Sequence, residues 1–355
     1  MLTQTEKNRY SKQIILPEIG VEGQLRLKQA KVLVIGAGGL GCPILQYLTA
    51  AGVGSIGIAD GDVIQLSNLQ RQVLYSEQEI GERKSDVAVK KLQLLNPHVQ
   101  FKLHPVFIDA SNALGIIKEY DVVVDGSDNF DTRYLVNDAC VMLDKPMVFG
   151  AIYRFEGHVS VFNYKGGPTY RCVFPDMPGE GESPNCADIG VVAVLPGIVG
   201  AIQANEVIKV ITGIGEVLTG RLLVIDTLTM NMHSFGFKLN EANRKITALR
   251  GSNFSCKAAY IDVDYDQFRE MAKSMAGAQV VDVREFEEHE IGNIGGVNIP
   301  LSGFETGLDK IDKQASVLLY CSSGVRSRHA AKMLIEKGYQ KVYNLKNGIS
   351  DIKVY

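Results

Sequence analysis

The chain has no polybasic block, and across 355 residues its formal net charge is only −3. Without clustered lysine and arginine there is no electrostatic footprint for nucleic acid. It also lacks an apolar leader: "MLTQTEKNRYSKQ" is polar, so no secretory signal is expected. The longest apolar-looking run, "IGVVAVLPGIVGAI", has 14 residues interrupted by a proline and glycines, too short to span a bilayer. Cysteine is sparse. The six, at positions 42, 140, 172, 186, 256 and 321, lie too far apart for a small secreted disulfide framework. These absences predict a cytoplasmic chain with reduced thiols and no membrane partner. What is present is ordinary globular composition, 46% hydrophobic and 22% charged, long enough for two or three domains.

Strand-like and helix-like patterns alternate over the first 130 residues. "KVLVIGAG" reads as a buried strand, "LGCPILQYLTAAGVG" as the helix that follows, "SIGIADGD" and "YDVVVDGSDN" as further strands. Such alternation predicts a parallel sheet covered on both faces, with ligands beyond the strands' carboxyl ends. "RCVFPDMPGEGESPNCADIG" reads as a long functional loop, "VLPGIVGAIQANEVIKVITG" as a helix and "RLLVIDTLTM" as a strand. A polar stretch, "NEANRKITALRGSNFSCKAA", reads as a linker. Strand and helix then alternate again through "AQVVDVRE", "SVLLYCSS", "VRSRHAAKMLIEKGY" and "KVYNLKNG", a second α/β domain of about 100 residues.

Gly36, Gly38 and Gly41 fit G-x-G-x-x-G, with Gly39 between them, and Asp60 ends the next strand about 20 residues on. This pattern suits a dinucleotide or another phosphate-bearing adenosine. The following segment discriminates. "DGDVIQLSNLQRQ" gathers Asp60, Asp62, Asn68 and Arg71, Lys84 follows in "GERKSDVAVKKL", and "DGSDNFDTR" adds Asp128 and Asn129. An NAD(P)-dependent oxidoreductase has no need of such a group. A nucleoside triphosphate does, because Arg and Lys neutralise phosphates and a carboxylate such as Asp128 can hold Mg²⁺.

In the second domain, Cys321 stands between an apolar strand and an amphipathic helix. The loop Cys321, Ser322, Ser323, Gly324, Val325, Arg326 can aim backbone N–H groups at sulfur, with the helix dipole and Arg326 adding positive potential. A C-x5-R phosphatase loop has five residues between cysteine and arginine. Here there are four, a smaller ring suited to one sulfur atom.

The first two-thirds of the chain, roughly residues 5 to 240, resembles the ATP-dependent adenylyltransferases that activate ubiquitin-like sulfur carriers, the molybdopterin-synthase and ThiS types above all. The resemblance is carried by "RYSKQIILPEIG", "GAGGLG", "DGDVIQLSNLQRQ", "GERKSDVA", "LNPHV", "DGSDNFDTRYLVND", "YRCVFP" and "CADIGVVAVLPGIVG". It implies that Gly36, Gly38, Gly39, Asp60, Asn68, Arg71, Lys84, Asp128 and Asn129 bind ATP and Mg²⁺. The C-terminal glycine carboxylate of a Gly-Gly carrier would then attack the α-phosphorus. Lys12 stands where many relatives have an arginine that reaches the neighbouring subunit's triphosphate, so a homodimer is implied; Arg9 nearby could share that role. Cys186 matches a cysteine that in some relatives links covalently to the carrier. The structural zinc of relatives is not expected, because the first cysteine pair reads Thr169 to Cys172 and near the second only Cys256 remains.

Residues 258 to 355 resemble a rhodanese domain through "VVDVREFEEHEIGNIGGVNIPL" and "YCSSGVRS". This implies a persulfide on Cys321, an upstream persulfide donor such as a cysteine desulfurase, and loop support from an Asp282–Arg284 ion pair. Asn293 replaces a histidine common in relatives, with little expected consequence. The expected fold is therefore α/β: a Rossmann-like, E1-type adenylation domain with a mostly parallel sheet at 1–245, a linker at 246–257, and a small rhodanese domain at 258–355. The expected product is a carrier thiocarboxylate. Two alternatives stand beside it, an NAD(P) oxidoreductase with an accessory rhodanese and a non-catalytic carrier-binding scaffold.

Overall fold

A computed structural model describes residues 1–178, 190–249, 260–275, 277–349 and 352. Cys186 and Cys256 lie outside the described residues. The chain divides into two compact units, Met1–Ser252 and Asn253–Tyr355.

The first unit begins with three helices, α1 (Gln4–Arg9), α2 (Ser11–Ile14) and α3 (Gly20–Gln29). Thr3 starts the chain's first turn with a reciprocal cap: its Oγ1 accepts from Glu6 N at 3.2 Å, and its own N–H donates to the Glu6 carboxylate at 2.7 Å. Then come β1 (Lys31–Ile35), α4 (Gly41–Ala51), β2 (Ser55–Ala59), α5 (Lys84–Leu95), β3 (Gln100–His104), α6 (Ala113–Ile117), β4 (Val122–Asp125) and α7 (Phe130–Met142). The unit continues through β5 (Met147–Tyr153), β6 (Glu156–Phe162), α8 (Leu195–Thr212), β7 (Arg221–Asp226) and β8 (Asn231–Gly236).

These strands form one sheet in the order β3-β2-β1-β4-β5-β6-β7-β8. It is parallel from β3 to β5 and antiparallel from β5 to β8. Side-chain alternation explains why both faces are covered. Val32 and Val34 of β1 join one apolar cluster with Leu45 and Leu48 of α4, while Leu33 and Ile35 join the opposite cluster with Val136 and Tyr134 of α7. The β1 run is apolar on both faces because both faces are covered.

The order reverses between β1 and β4, so their carboxyl ends open a crevice at the switch point. Its floor depends on Gly36, whose φ of +87° is one that side chains rarely adopt and whose Cβ would lie 2.8 Å from the Gly126 carbonyl oxygen. Gly36→Ala should therefore destabilise the first unit by roughly 1–3 kcal/mol, from the backbone conformation alone. Thermal unfolding of the two proteins checks it, and an unchanged Tm would show that the turn relaxes freely.

The second unit contains β9 (Tyr260–Val263), α9 (Tyr265–Ser274), β10 (Gln279–Asp282), α10 (Phe286–Ile291), β11 (Val297–Asn298), β12 (Val317–Tyr320), α11 (Val325–Glu336) and β13 (Val342–Leu345). The sheet order is β11-β10-β12-β13-β9, and every pairing is parallel. In β12, Val317 and Leu319 pack into one cluster and Leu318 and Tyr320 into the other, which delivers Cys321 to the carboxyl end of the central strand. Among the described residues, no helix is long and apolar enough to cross a membrane.

Candidate active sites

One cavity occupies the switch point of the first unit. Gly36, Gly38, Gly39, Asp60, Arg71, Lys84, Asp128 and Asn129 all line it. Asp60, at the end of β2, accepts from Ala37 N and from Asp62 N, each at 2.7 Å. Each oxygen keeps a second lone pair for a ligand hydroxyl. Burial pushes the Asp60 carboxyl above the ordinary carboxylate range, although Lys84 and the two backbone donors oppose the shift. Gly38 differs from Gly36: a Cβ there would meet nothing closer than the Gln72 amide nitrogen at 3.6 Å. Packing leaves room for a side chain at 38, so its absence opens the backbone to a ligand.

Lys84 opens α5, its side chain only 7% exposed, and its Nζ lies 3.0 Å from Asp62 Oδ2. Burial of an ammonium requires such a partner. The Tyr75 hydroxyl donates toward the Lys84 and Ala37 carbonyls, at 3.3 and 2.8 Å, fastening α5 to the glycine turn. Arg71 follows a short 3-10 turn and donates to Ser67 O at 3.1 Å. Asn129 caps α7, accepting from Thr132 N at 2.8 Å. Asp128, one residue earlier, is exposed to the cavity and makes no hydrogen bond or ion pair among the described residues. A carboxylate left open in the cavity that Arg71 and Lys84 line could hold a divalent cation, which would supply charge neutralisation there.

Two expected site residues do not line this cavity. Asn68 is buried and does not line the cavity; its Oδ1 accepts from Gln65 N and its carbonyl from Arg71 N and Gln72 N. It shapes the turn that presents Arg71. Lys12 is exposed on α2, also off the cavity wall, and Arg9 donates to Leu95 O.

Several wall residues were not singled out from the sequence. Arg133 reaches back from α7 to Asp125 Oδ2 at 3.2 Å and to Ser127 O at 3.0 Å, holding the loop that carries Asp128. The buried Gln72 side chain faces the glycine loop, its Oε1 without a hydrogen bond among the described residues. Val106, Phe107 and Ile108 give the wall beyond β3 an apolar surface. Only the D-N-x-x-x-R spacing hinted at Arg133, by placing it one turn inside α7.

Cys172 tests the zinc implied for relatives. Its sulfur accepts from Thr169 N at 3.4 Å, Asn240 N at 3.3 Å and Asn243 Nδ2 at 3.7 Å. N–H donors cannot ligate a cation, so these residues do not fit a zinc site. Burial raises the Cys172 pKa, but the donors outweigh it and the net shift is downward.

In the second unit, Cys321 is buried, and its sulfur accepts from Gly324 N at 3.1 Å and Ser327 Oγ at 3.4 Å. Gly324 has φ +83° at the entry to α11, and a Cβ there would lie 2.1 Å from Lys346 O. Arg326 departs from expectation. Its guanidinium is bidentate on Glu288, at 2.6 and 2.7 Å, and also donates to Ser322 Oγ at 3.1 Å. Its charge is matched by Glu288, so it braces the loop instead of simply adding potential at sulfur. Asp282 and Arg284 do pair, at 2.6 Å, and His289 Nδ1 joins them at 2.8 Å. Burial raises the Asp282 pKa, but the Arg284 and His289 bonds prevail and hold it below the usual range. Asn293 closes a turn, donating to His289 O and accepting from Gly295 N.

Glu288 is held down to about 2, first by Arg326. A depressed carboxylate stabilises the fold above its unfolded pKa of 4.5 and loses that contribution as pH falls towards 2. Glu288→Gln should thus weaken hydrogen-exchange protection in α11 at neutral pH, with the gap from wild type closing as pH falls below 4.5. A gap of constant size would refute the pairing.

A crevice at the switch point with an open carboxylate, in a chain that also cradles a buried cysteine on a parallel sheet, fits a nucleotidyltransferase joined to a sulfurtransferase. Residues 10–247 match the ThiF family and residues 265–354 the rhodanese-like domain. The chain belongs to the ThiF family and carries a rhodanese-like domain after it. It is 41% identical to a probable adenylyltransferase/sulfurtransferase, MoeZ, of Mycobacterium tuberculosis, over 98% of this chain and 93% of that one. A sulfur carrier protein adenylyltransferase of Thermus thermophilus is 52% identical over 67% of this chain and 90% of its own. Among solved structures, E. coli MccB with ATP superposes with a TM-score of 0.59 at 26% identity, covering 66% of this chain and 72% of that one.

Proposed function

We infer that the chain adenylylates the C-terminal carboxylate of a ubiquitin-like sulfur carrier and then converts the adenylate to a thiocarboxylate. Asp128 carries the reading: an open carboxylate in the cavity that Arg71 and Lys84 also line suits a triphosphate and its Mg²⁺, and a nicotinamide dinucleotide does not call for it. Asp60 would hold the ribose hydroxyls, the Gly38–Gly39 backbone would approach the phosphates, and Arg71 with Lys84 would take up the charge that moves onto pyrophosphate. Mg²⁺ at Asp128 would supply charge neutralisation between phosphate oxygens. The carrier's carboxylate oxygen forms a bond to the α-phosphorus, and the bridging oxygen leaves with pyrophosphate. Asn68 acts by presenting Arg71.

In the second step Cys321 accepts a sulfane sulfur from a persulfide donor such as a cysteine desulfurase. Its outer sulfur attacks the acyl carbon and AMP leaves. A second thiol then attacks the Cys321 sulfur, releasing the thiocarboxylate and leaving a disulfide. Cys186 is the chain's own further nucleophile toward the carrier. A homodimer gives Lys12 a neighbouring triphosphate to reach, and free Cys42, Cys140, Cys172 and Cys321 agree with a reducing cytoplasm. The domains run 1–245 and 258–355.

Mass spectrometry of a Gly-Gly-terminated carrier, incubated with the protein and Mg-ATP, tests both steps. An AMP adduct without sulfur donor, replaced with donor by a mass gain equal to exchange of oxygen for sulfur, supports the reading. Carriers left unmodified together with silent ATP–pyrophosphate exchange overturn it.

A further inference from the structure

The strand order sorts the walls of the cavity. Asp60 follows β2 and the apolar Val106–Ile108 wall follows β3, on one side of the switch point. The glycine turn and Asp128 follow β1 and β4, at its centre. On the other side the wall is made by Ile152 and Tyr153 at the end of β5, Arg154 just after it, and Val191. If the adenosine lies over β2 and β3 and the phosphates over β1 and β4, the β5 side is left for the second substrate.

Arg154 has the chemistry that side requires. It is the first of two residues joining β5 to β6, between the paired Tyr153 and Glu156. Its φ is +53°, in the left-handed region that non-glycine residues seldom occupy. A two-residue hairpin turn calls for positive φ at its first position, and here an arginine occupies it where glycine or asparagine is usual. The surroundings here are a bridge to Val191 and a hydrogen bond from Val192 N to Arg154 O at 3.2 Å. The guanidinium sits over the Tyr153 ring, 5.3 Å from its centroid. That leaves the N–H edges of the fork available in its plane.

We propose that Arg154, seated on Tyr153, receives the carrier's C-terminal carboxylate and holds it for attack on the α-phosphorus. The inference rests on the adenylylation reading above. A carboxylate approaching a triphosphate is repelled, and one fixed cation at the approach side offsets that repulsion before any bond forms. Asp128, Arg71 and Lys84 are committed to the phosphates, which leaves Arg154 for the acyl end. Arg154 transfers no proton. It positions the nucleophile.

The test uses the carrier that the wild-type protein adenylylates, prepared with its natural carboxylate and with a C-terminal carboxamide. Binding of both forms is measured to wild type, Arg154→Ala and Arg154→Lys. A lost charged hydrogen bond predicts that Arg154→Ala weakens binding of the carboxylate form roughly 10- to 100-fold and leaves the carboxamide form unchanged. The KM for carrier in pyrophosphate exchange should rise by a similar factor, the KM for ATP should hold, and Arg154→Lys should recover part of the loss. Equal loss for both carrier forms, or a raised KM for ATP alone, overturns the assignment to the carboxylate. Wild-type protein that adenylylates no carrier overturns the underlying reading instead, so the two failures are separable.

Discussion

Asp128→Ala is expected to lower ATP–pyrophosphate exchange by roughly a hundred- to a thousandfold, the scale seen when one preorganised electrostatic group is removed from a transition state. The side chain has no hydrogen bond or ion pair among the described residues, so its removal leaves nothing buried and unpaired. The loop around it is held independently. Asp125 accepts from Ser127 N and Oγ, and Arg133 donates to Ser127 O. The variant should therefore unfold at the wild-type Tm, which separates lost chemistry from lost structure. Raising Mg²⁺ should restore little of the rate, because the missing group is the ligand that aims the cation. Asp128→Asn keeps the shape and one acceptor but loses the charge, and should fall close to the alanine variant. Exchange within about threefold of wild type for both variants would remove Asp128 from the reaction.

How much of this was legible in the sequence depended on whether a residue's role is local. β1, α4, β2 and β4 announce themselves because apolar runs and the glycine turn are local signals, and Asp60, Arg71, Lys84 and Asp128 stand at fixed distances from them. The antiparallel half of the sheet was harder to read. The turn between β5 and β6 is Arg154-Phe155, with neither glycine nor asparagine to mark a hairpin, and β8 is exposed at all six residues. Arg133 and Gln72 escaped notice because their reach into the cavity comes from α7 and a turn folding back over the sheet. Asn68, a polar residue between two site residues, spends its Oδ1 on its own turn, which its position in the sequence did not reveal. Glu288 was invisible because its partner is distant in sequence: it lies 38 residues from Arg326 along the chain yet takes both arms of its guanidinium.

Cys321→Ser is expected to leave carrier adenylylation intact and to remove thiocarboxylate formation, by roughly a thousandfold or more for loss of a nucleophile. Serine is the informative replacement. Its hydroxyl can take the Gly324 N–H that now points at sulfur, so the turn into α11 keeps its donor satisfied, whereas alanine leaves that buried N–H without a partner. Oxygen cannot hold a sulfane sulfur as a persulfide does. With a persulfide donor present, the wild-type peptide containing Cys321 should gain one sulfur atom, and the serine variant none. The carrier should then stall as its AMP adduct in the variant, because the adenylate still forms while the tethered sulfur that consumes it at high effective concentration is gone. Adduct accumulation is the decisive reading. A variant that merely misfolded would make neither product, and a route that bypassed Cys321 would make thiocarboxylate at the wild-type rate. Adding excess inorganic sulfide should bring product back, since a free sulfur nucleophile can attack the waiting acyl-adenylate directly; no rescue together with no adduct would place the fault before the adenylate.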